Sequence, residues 1–111
     1  MQSLTQLLLD FRDERDWAQF HDSKNLALAL SIEAAELNEL FLWSPNGQLP
    51  EGREERLAEE LADVLAYALL LAHNHGLNVD DIVRQKVAKN ALKYPAEKAR
   101  GTSAKYNELG Q

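Results

Sequence analysis

Apolar residues recur along most of this 111-residue chain at intervals of three and four, the spacing that places them on one face of an α-helix. Only 5 glycines and 3 prolines interrupt the pattern. The clearest run is Leu26, Leu30, Glu33, Leu37 and Leu40, spaced by four and three in turn. The spacing predicts an all-α fold, a four-helix bundle in which Glu33 occupies a core position.

The predicted helices begin and end at residues that favour helix termini. They span residues 3–20, 24–42, 54–74 and about 80–92. Ser3 is the expected N-cap of the first helix, and Gly76 takes the position just after the third. Either Asn78 or Asp80 caps the fourth helix. Residues 44–52, with two prolines and two glycines, predict a loop.

The third helix contains a stretch too apolar for one small chain to cover. Residues 61–72 include a single charge, Asp63, and are apolar nearly all round. Four short helices offer too little surface to bury such an element. The sequence therefore predicts self-association through this helix, as a dimer or a tetramer formed by two dimers.

Length and charge narrow the class of protein. Residues 1–111 predict one domain with a basic tail at 96–111. The 12 basic and 18 acidic residues give a net charge of −6, which argues against binding a nucleic-acid polymer. The chain has no cysteine, so thiolate chemistry and cysteine-rich zinc sites are excluded. The first residues lack an export signal, so a cytoplasmic location without membrane attachment is expected.

Two pairs of carboxylates carry the strongest chemical signal. Glu33 and Glu36 lie three apart on the second helix, and Glu60 and Asp63 lie three apart on the third, so each pair shares a helix face. Acids that face one another in a bundle repel and are desolvated unless a cation neutralises them. Oxygen ligands favour Mg²⁺, with Mn²⁺ as the alternative.

Other interpretations of these acids are weaker. Most acids at this spacing are solvated and paired with Lys or Arg, but Glu33 lies in a leucine seam and Asp63 in an apolar run. A di-iron bundle needs Glu-x-x-His steps, and the chain has none. Zinc held by the three histidines stays a minor alternative.

The sequence resembles the all-α nucleoside triphosphate pyrophosphohydrolases of the MazG-like superfamily, and within them the dCTP pyrophosphatase branch. The motif Glu33-Ala-Ala-Glu36, a spacer at 37–59, and Glu60-Leu-Ala-Asp63 match the family pattern ExxE then ExxD. Further similar segments occur at residues 14–21, 25–30, 35–43, 59–72, 93–95 and 104–109.

The resemblance implies that water attacks the α-phosphorus of a nucleoside triphosphate and releases the monophosphate and pyrophosphate. The substrate would be dCTP or a related deoxynucleotide, including modified ones, removed to keep the nucleotide pool clean. Glu33, Glu36, Glu60 and Asp63 would be the catalytic and metal-binding residues. The base is either one of these glutamates or a hydroxide on the metal.

Substrate contacts are expected from cationic and aromatic side chains. Lys86, Asn90 and Lys93 share a face of the fourth helix and could bind phosphates, as could Arg100, Lys105 and Tyr106 in the tail.

Flat side chains are candidates for the nucleoside. Trp17 and Trp43 could stack on the base, Tyr67 follows Asp63 by one helical turn, and His21 and Asn25 frame the turn before the second helix. In related proteins the tyrosine and both tryptophans contact the nucleoside.

Two alternatives keep the fold but change the function. Some relatives carry a histidine in the first helix where this chain has Leu8, which leaves dUTP or a broad set of triphosphates open as substrates. A protein of another class, a non-catalytic helical oligomerisation module, would use the acids only to set the register of its helices.

Overall fold

The computed structural model describes residues 2–108, apart from the side chain of Tyr106, and shows only helices, turns and loops there. The all-α prediction is confirmed. Residues 2–108 contain five α-helices: α1 Leu4–Glu14, α2 Ser23–Glu39, α3 Glu54–Asn74, α4 Val79–Lys93 and the single-turn α5 Ala96–Ala99. Short 3-10 turns occupy Ala18–Phe20, Pro45–Gly47 and Tyr106–Glu108.

The chain divides into two compact units, one up to residue 76 and one from residue 77 onward. In the first unit, α3 packs against both α2 and α1. Its core contains Leu26 and Leu40 of the predicted seam, which are fully buried, together with Leu70 and Ala72 of α3. Glu33, between the two seam leucines, is half-buried. The sequence predicted a core position for Glu33, and the structure buries one of its carboxylate oxygens, Oε2, but not the whole side chain.

The predicted caps are mostly confirmed. The Ser3 side chain accepts a hydrogen bond from the Gln6 N–H, and Asn78 rather than Asp80 caps α4 by accepting from the Asp81 N–H. Gly76 has a φ of +64°, the left-handed conformation expected after a helix. The third helix has the predicted bounds of 54 and 74.

Two predicted helix ends are wrong. The first helix ends at Glu14 and not at residue 20, because Asp16 takes a left-handed conformation with a φ of +55°. The second ends at Glu39 and not at residue 42, and Trp43 has a φ of +66° in the turn that follows. The basic tail, predicted without helical periodicity, contains α5.

Large apolar side chains on α3 stay exposed in the isolated chain. Leu61 and Leu65 are 43% and 55% exposed, and Ile32 on α2 is 57% exposed.

Among the described residues, no helix combines the length and the apolar character needed to cross a membrane.

Candidate metal and nucleotide site

Three carboxylates meet where α2 packs against α3. Glu33, Glu36 and Glu60 each offer one oxygen, and these oxygens all lie within 4.8 Å of one another. The helical step of three puts Glu33 and Glu36 on one face of α2, and the packing of α3 brings Glu60 opposite them. Three of the four predicted acids therefore face one another across α2 and α3.

Among the described residues, little positive charge compensates the acids of the cluster. Glu33 Oε2 and Glu60 Oε2 are buried and have no hydrogen-bond partner among the described residues. Among the described residues, the ion pair with the cluster comes from Arg56, whose Nε lies 3.8 Å from Glu60 Oε1. Because that arginine is 57% exposed, it compensates Glu60 only weakly.

Crowding changes the acidity of the cluster. Burial, a hydrogen bond with Glu36 and the charges of the neighbouring acids raise the pKa of Glu33 from 4.5 to about 7. Burial and the Glu36 carboxylate also raise the pKa of Glu60. Both shifts show that negative charge is costly here without a cation.

Asp63 lies beside the three glutamates rather than among them. It is exposed and is not part of the group of oxygens within 4.8 Å. Its charge nevertheless raises the pKa of Glu33 and of Tyr67, and its side chain lines the neighbouring cavity. Asp63 therefore lies between the carboxylates and the aromatic residues.

The donor set fits a hard divalent cation. It consists of carboxylate oxygens only, and Mg²⁺ and Mn²⁺ prefer such ligands. Two of the three residues also have a buried carboxylate oxygen without a hydrogen-bond partner among the described residues. The three histidines form no comparable group among the described residues, and the His75 Nε2 is 2.8 Å from the Ser23 Oγ. The structure therefore offers no support for the zinc alternative.

The raised pKa of Glu33 predicts a pH dependence of stability. In protein freed of metal, the folded state holds a proton on Glu33 up to about pH 7, whereas the unfolded state loses it near 4.5. We expect the free energy of unfolding to fall as pH rises through this interval, because the folded state binds more protons there. Urea unfolding in EDTA at several pH values tests this, and Glu33→Gln is expected to flatten the profile. A stability that rises with pH over the same interval would contradict it.

An aromatic cavity of about 280 Å³ adjoins the carboxylates. Three predicted nucleoside contacts line it, namely Trp17, His21 and Tyr67. The Tyr67 ring lies edge-on to the His21 ring, with centroids 6.4 Å apart. The remaining lining residues are Leu8, Phe11, Arg12, Asp63, Ala66 and Leu70.

Sequence reasoning missed Phe11 and Arg12 as lining residues. The Phe11 and Trp17 rings meet edge-on at 5.8 Å, which closes one wall of the cavity. Leu8 and Arg12 are four residues apart, so they share a face of α1, and both line the cavity between α1 and α3. This spacing was the sequence signal for the position of Arg12.

Two other predicted contacts lie outside this cavity. Asn25 uses its amide locally, donating to the Phe20 carbonyl at 3.2 Å, and its N–H bonds to the capping Asp22 Oδ1. Trp43 is 90% exposed and lines a separate shallow groove at the end of α2.

The predicted phosphate ligands belong to the second unit. Lys86, Asn90 and Lys93 are exposed on α4, and Arg100 and Lys105 are exposed in the segment after it. The Tyr106 side chain lies outside the described part of the chain. The roles of these residues stay predictions.

Comparisons with known proteins agree with the sequence motif. The MazG-like family model matches residues 28–109. Human dCTP pyrophosphatase 1 is 42% identical over 98% of this chain and 67% of its own length. The mouse protein of the same name is 39% identical over the same shares. A crystal structure of a pyrophosphatase from Archaeoglobus fulgidus is 42% identical, with a TM-score of 0.76 over 80% of this chain and 86% of that one. The chain therefore belongs to the MazG-like family.

Proposed function

We propose that this protein is a nucleoside triphosphate pyrophosphohydrolase that converts dCTP, or a closely related deoxynucleotide, to the monophosphate and pyrophosphate. The observation that carries the proposal is the cluster of three carboxylates within 4.8 Å beside an aromatic cavity. The 39–42% identity to proteins named dCTP pyrophosphatase 1 supports the choice of substrate. A cytoplasmic setting, with removal of unwanted deoxynucleotides, is part of the same proposal.

Glu33, Glu36 and Glu60 would hold Mg²⁺, with Asp63 as the fourth ligand on the side of the cavity. The two unpaired buried oxygens support this assignment, because a cation would satisfy both of them. When bound, Mg²⁺ supplies positive charge that offsets the charge developing on the phosphates. Mn²⁺ meets the same ligand requirements.

The aromatic residues would bind the nucleoside and keep water away from it. Trp17 is 43% exposed at the cavity and offers a flat face to a base. Burial and the nearby acids raise the pKa of Tyr67, so its hydroxyl stays protonated and can donate a hydrogen bond to the sugar.

The basic residues of the second unit would bind the triphosphate. Lys86, Asn90 and Lys93 are spaced by four and three on α4, which puts two ammonium groups and an amide on one face. Arg100, Lys105 and Tyr106 would add contacts from the tail. The family resemblance supports these roles, and so does the excess of positive charge after residue 84.

Lys86→Gln tests this face of α4. We expect the variant to raise KM for the triphosphate by about 10-fold, since a charge-assisted hydrogen bond to phosphate is lost. Lys89→Gln is the matched control, because Lys89 lies on the same helix outside the predicted face. Equal effects of the two substitutions on KM would contradict the assignment.

Self-association through α3 is also part of the proposal. The exposed Leu61 and Leu65 would be covered by a second copy of the chain. Sedimentation velocity at micromolar concentration is expected to give the mass of a dimer or a tetramer. A monomer of 12.5 kDa would contradict it.

Product analysis tests the reaction itself. The purified protein is incubated with Mg²⁺ and each common nucleoside triphosphate in turn, and the nucleotide and phosphate products are separated. We expect monophosphate and pyrophosphate, with dCTP ranked first and activity lost when EDTA is added. Diphosphate and orthophosphate would place the scissile bond elsewhere, and no turnover would favour the oligomerisation module.

A further inference from the structure

Of the described residues that line the aromatic cavity, Arg12 is the only arginine or lysine. Its side chain is only 17% exposed, although it lies on a helix of which no residue is fully buried. The Nε donates to the Asp13 Oδ1 at 2.9 Å. The two terminal nitrogens, Nη1 and Nη2, make no hydrogen bond to any residue that the structure describes.

Arg12 shares the cavity with the aromatic residues Phe11, Trp17 and Tyr67. The arginine that affects the acidity of Glu60 is Arg56. Arg12 instead helps to lower the pKa of His21, after burial, which is the larger cause. A guanidinium that lines a cavity with aromatic side chains can reach a nucleobase that stacks on them.

His21 offers a second unsatisfied polar group in the same cavity. Its Nδ1 is buried and lacks a hydrogen-bond partner among the described residues. A neutral imidazole can accept a hydrogen bond on one of its nitrogens. Besides Asp63 and Tyr67, the cavity wall therefore carries one strong donor group, the Arg12 guanidinium, and one group able to accept, the His21 imidazole.

This pair matches the hydrogen-bonding edge of cytosine. A guanidinium has donors only, in a planar fork that fits two neighbouring acceptors. Cytosine presents its O2 and N3 as adjacent acceptors and its 4-amino group as a donor next to them. Uracil and thymine have a donor at N3 and an acceptor at position 4, which would oppose the guanidinium and leave the imidazole unpaired.

We propose that Arg12 is a specificity-determining residue that donates to O2 and N3 of the substrate's cytosine, while His21 Nδ1 accepts from the 4-amino group. The inference rests on the proposed function and extends it to the choice of base. It assigns discrimination between 4-amino and 4-oxo pyrimidines to a residue of α1.

The test compares three substrates, namely dCTP, dUTP and 3-deaza-dCTP, which lacks the N3 acceptor. The proteins are the full chain and the variants Arg12→Gln and Arg12→Lys, with Arg84→Gln as a matched control because the Arg84 side chain is 77% exposed on α4. We expect Arg12→Gln to lower kcat/KM for dCTP by about 10- to 100-fold, the usual cost of a lost two-point contact to a base. The change for dUTP should stay below about 3-fold, because the wild-type protein makes no paired contact to that base.

The analogue gives an atomic readout. The wild-type protein should prefer dCTP to 3-deaza-dCTP, and Arg12→Gln should lose that preference. Arg12→Lys keeps the charge without the planar fork, so it should recover little of the preference for dCTP. The control should behave as wild type on all three substrates.

Several outcomes would overturn the inference. An equal fall for dCTP and dUTP in a folded Arg12→Gln would mean that Arg12 binds phosphate or supports the helix. Full preference for dCTP in Arg12→Lys, or no discrimination against 3-deaza-dCTP by the wild type, would also overturn it. A wild-type protein that hydrolyses dCTP with Mg²⁺ in such an experiment leaves the proposed function standing, whereas one inactive on every triphosphate removes both.

Discussion

Glu60→Gln is expected to lower the rate of pyrophosphate release by at least about 100-fold, more than the 10- to 100-fold typical of a residue that only supports a metal ligand. The substitution keeps the size of the side chain and removes one charge from the group of three carboxylates. Glu60 Oε2 is buried and has no hydrogen-bond partner among the described residues, as expected of an oxygen that binds a cation. Initial rates over a range of Mg²⁺ concentrations would show whether added metal restores activity.

The same variant should fold at least as well as the wild type when metal is removed. Neutralising one acid relieves repulsion in the group, where burial and the Glu36 carboxylate already raise the pKa of Glu60. Mg²⁺ should also raise the melting temperature of the variant less than that of the wild type. Glu55→Gln, at an exposed position of the same helix, is the control and should keep its activity. An active Glu60→Gln with an unchanged response to Mg²⁺ would contradict the metal site.

Leu26→Ala should have the largest effect on stability. Leu26 is 1% exposed at the contact of α2 with α3, so removing its three outer carbons leaves a cavity in the core. We expect a loss of about 3 kcal/mol in the free energy of unfolding, within the range for buried leucines. Urea unfolding at fixed protein concentration measures it, with EDTA present to exclude stabilisation by metal.

Leu92→Ala is the control for this substitution. Leu92 lies on α4 and is 84% exposed, so its truncation should change the free energy of unfolding by less than about 0.5 kcal/mol. A similar loss for both variants would mean that a partner covers Leu92, whereas a small loss for Leu26→Ala would contradict the described core.

The fold could be predicted where the sequence carries explicit end signals. Asn78 and Gly76 bound helices because an amide side chain caps an N–H and a glycine adopts a positive φ at low cost. The ends of α1 and α2 could not be predicted, because the left-handed residues there are Asp16 and Trp43. Aspartate adopts this conformation more often than most residues but far less often than glycine, and tryptophan adopts it rarely.

The carboxylate cluster could be predicted because it depends on local geometry. A step of three fixes two acids on one helix face, and the leucine seam shows which face turns inward. The burial of Arg12 depends instead on the turn after α1 and on α3 packing against it. The helical step from Leu8 puts Arg12 on the same face, but the sequence alone does not show whether a charged residue there lines a cavity or meets solvent.

The break at Asp16 has a consequence for how the nucleotide cavity can change during evolution. In a continuous helix, residues six apart would point about 120° away from each other, so Phe11 and Trp17 would face different surroundings. The left-handed conformation of Asp16 turns the chain back towards α1. The centroids of the Phe11 and Trp17 rings then lie 5.8 Å apart. The wall that Phe11 and Trp17 form thus depends on the φ angle of Asp16. Glycine or asparagine could replace Asp16 and keep it, whereas a β-branched residue there would remodel the cavity without altering any of the side chains that line it.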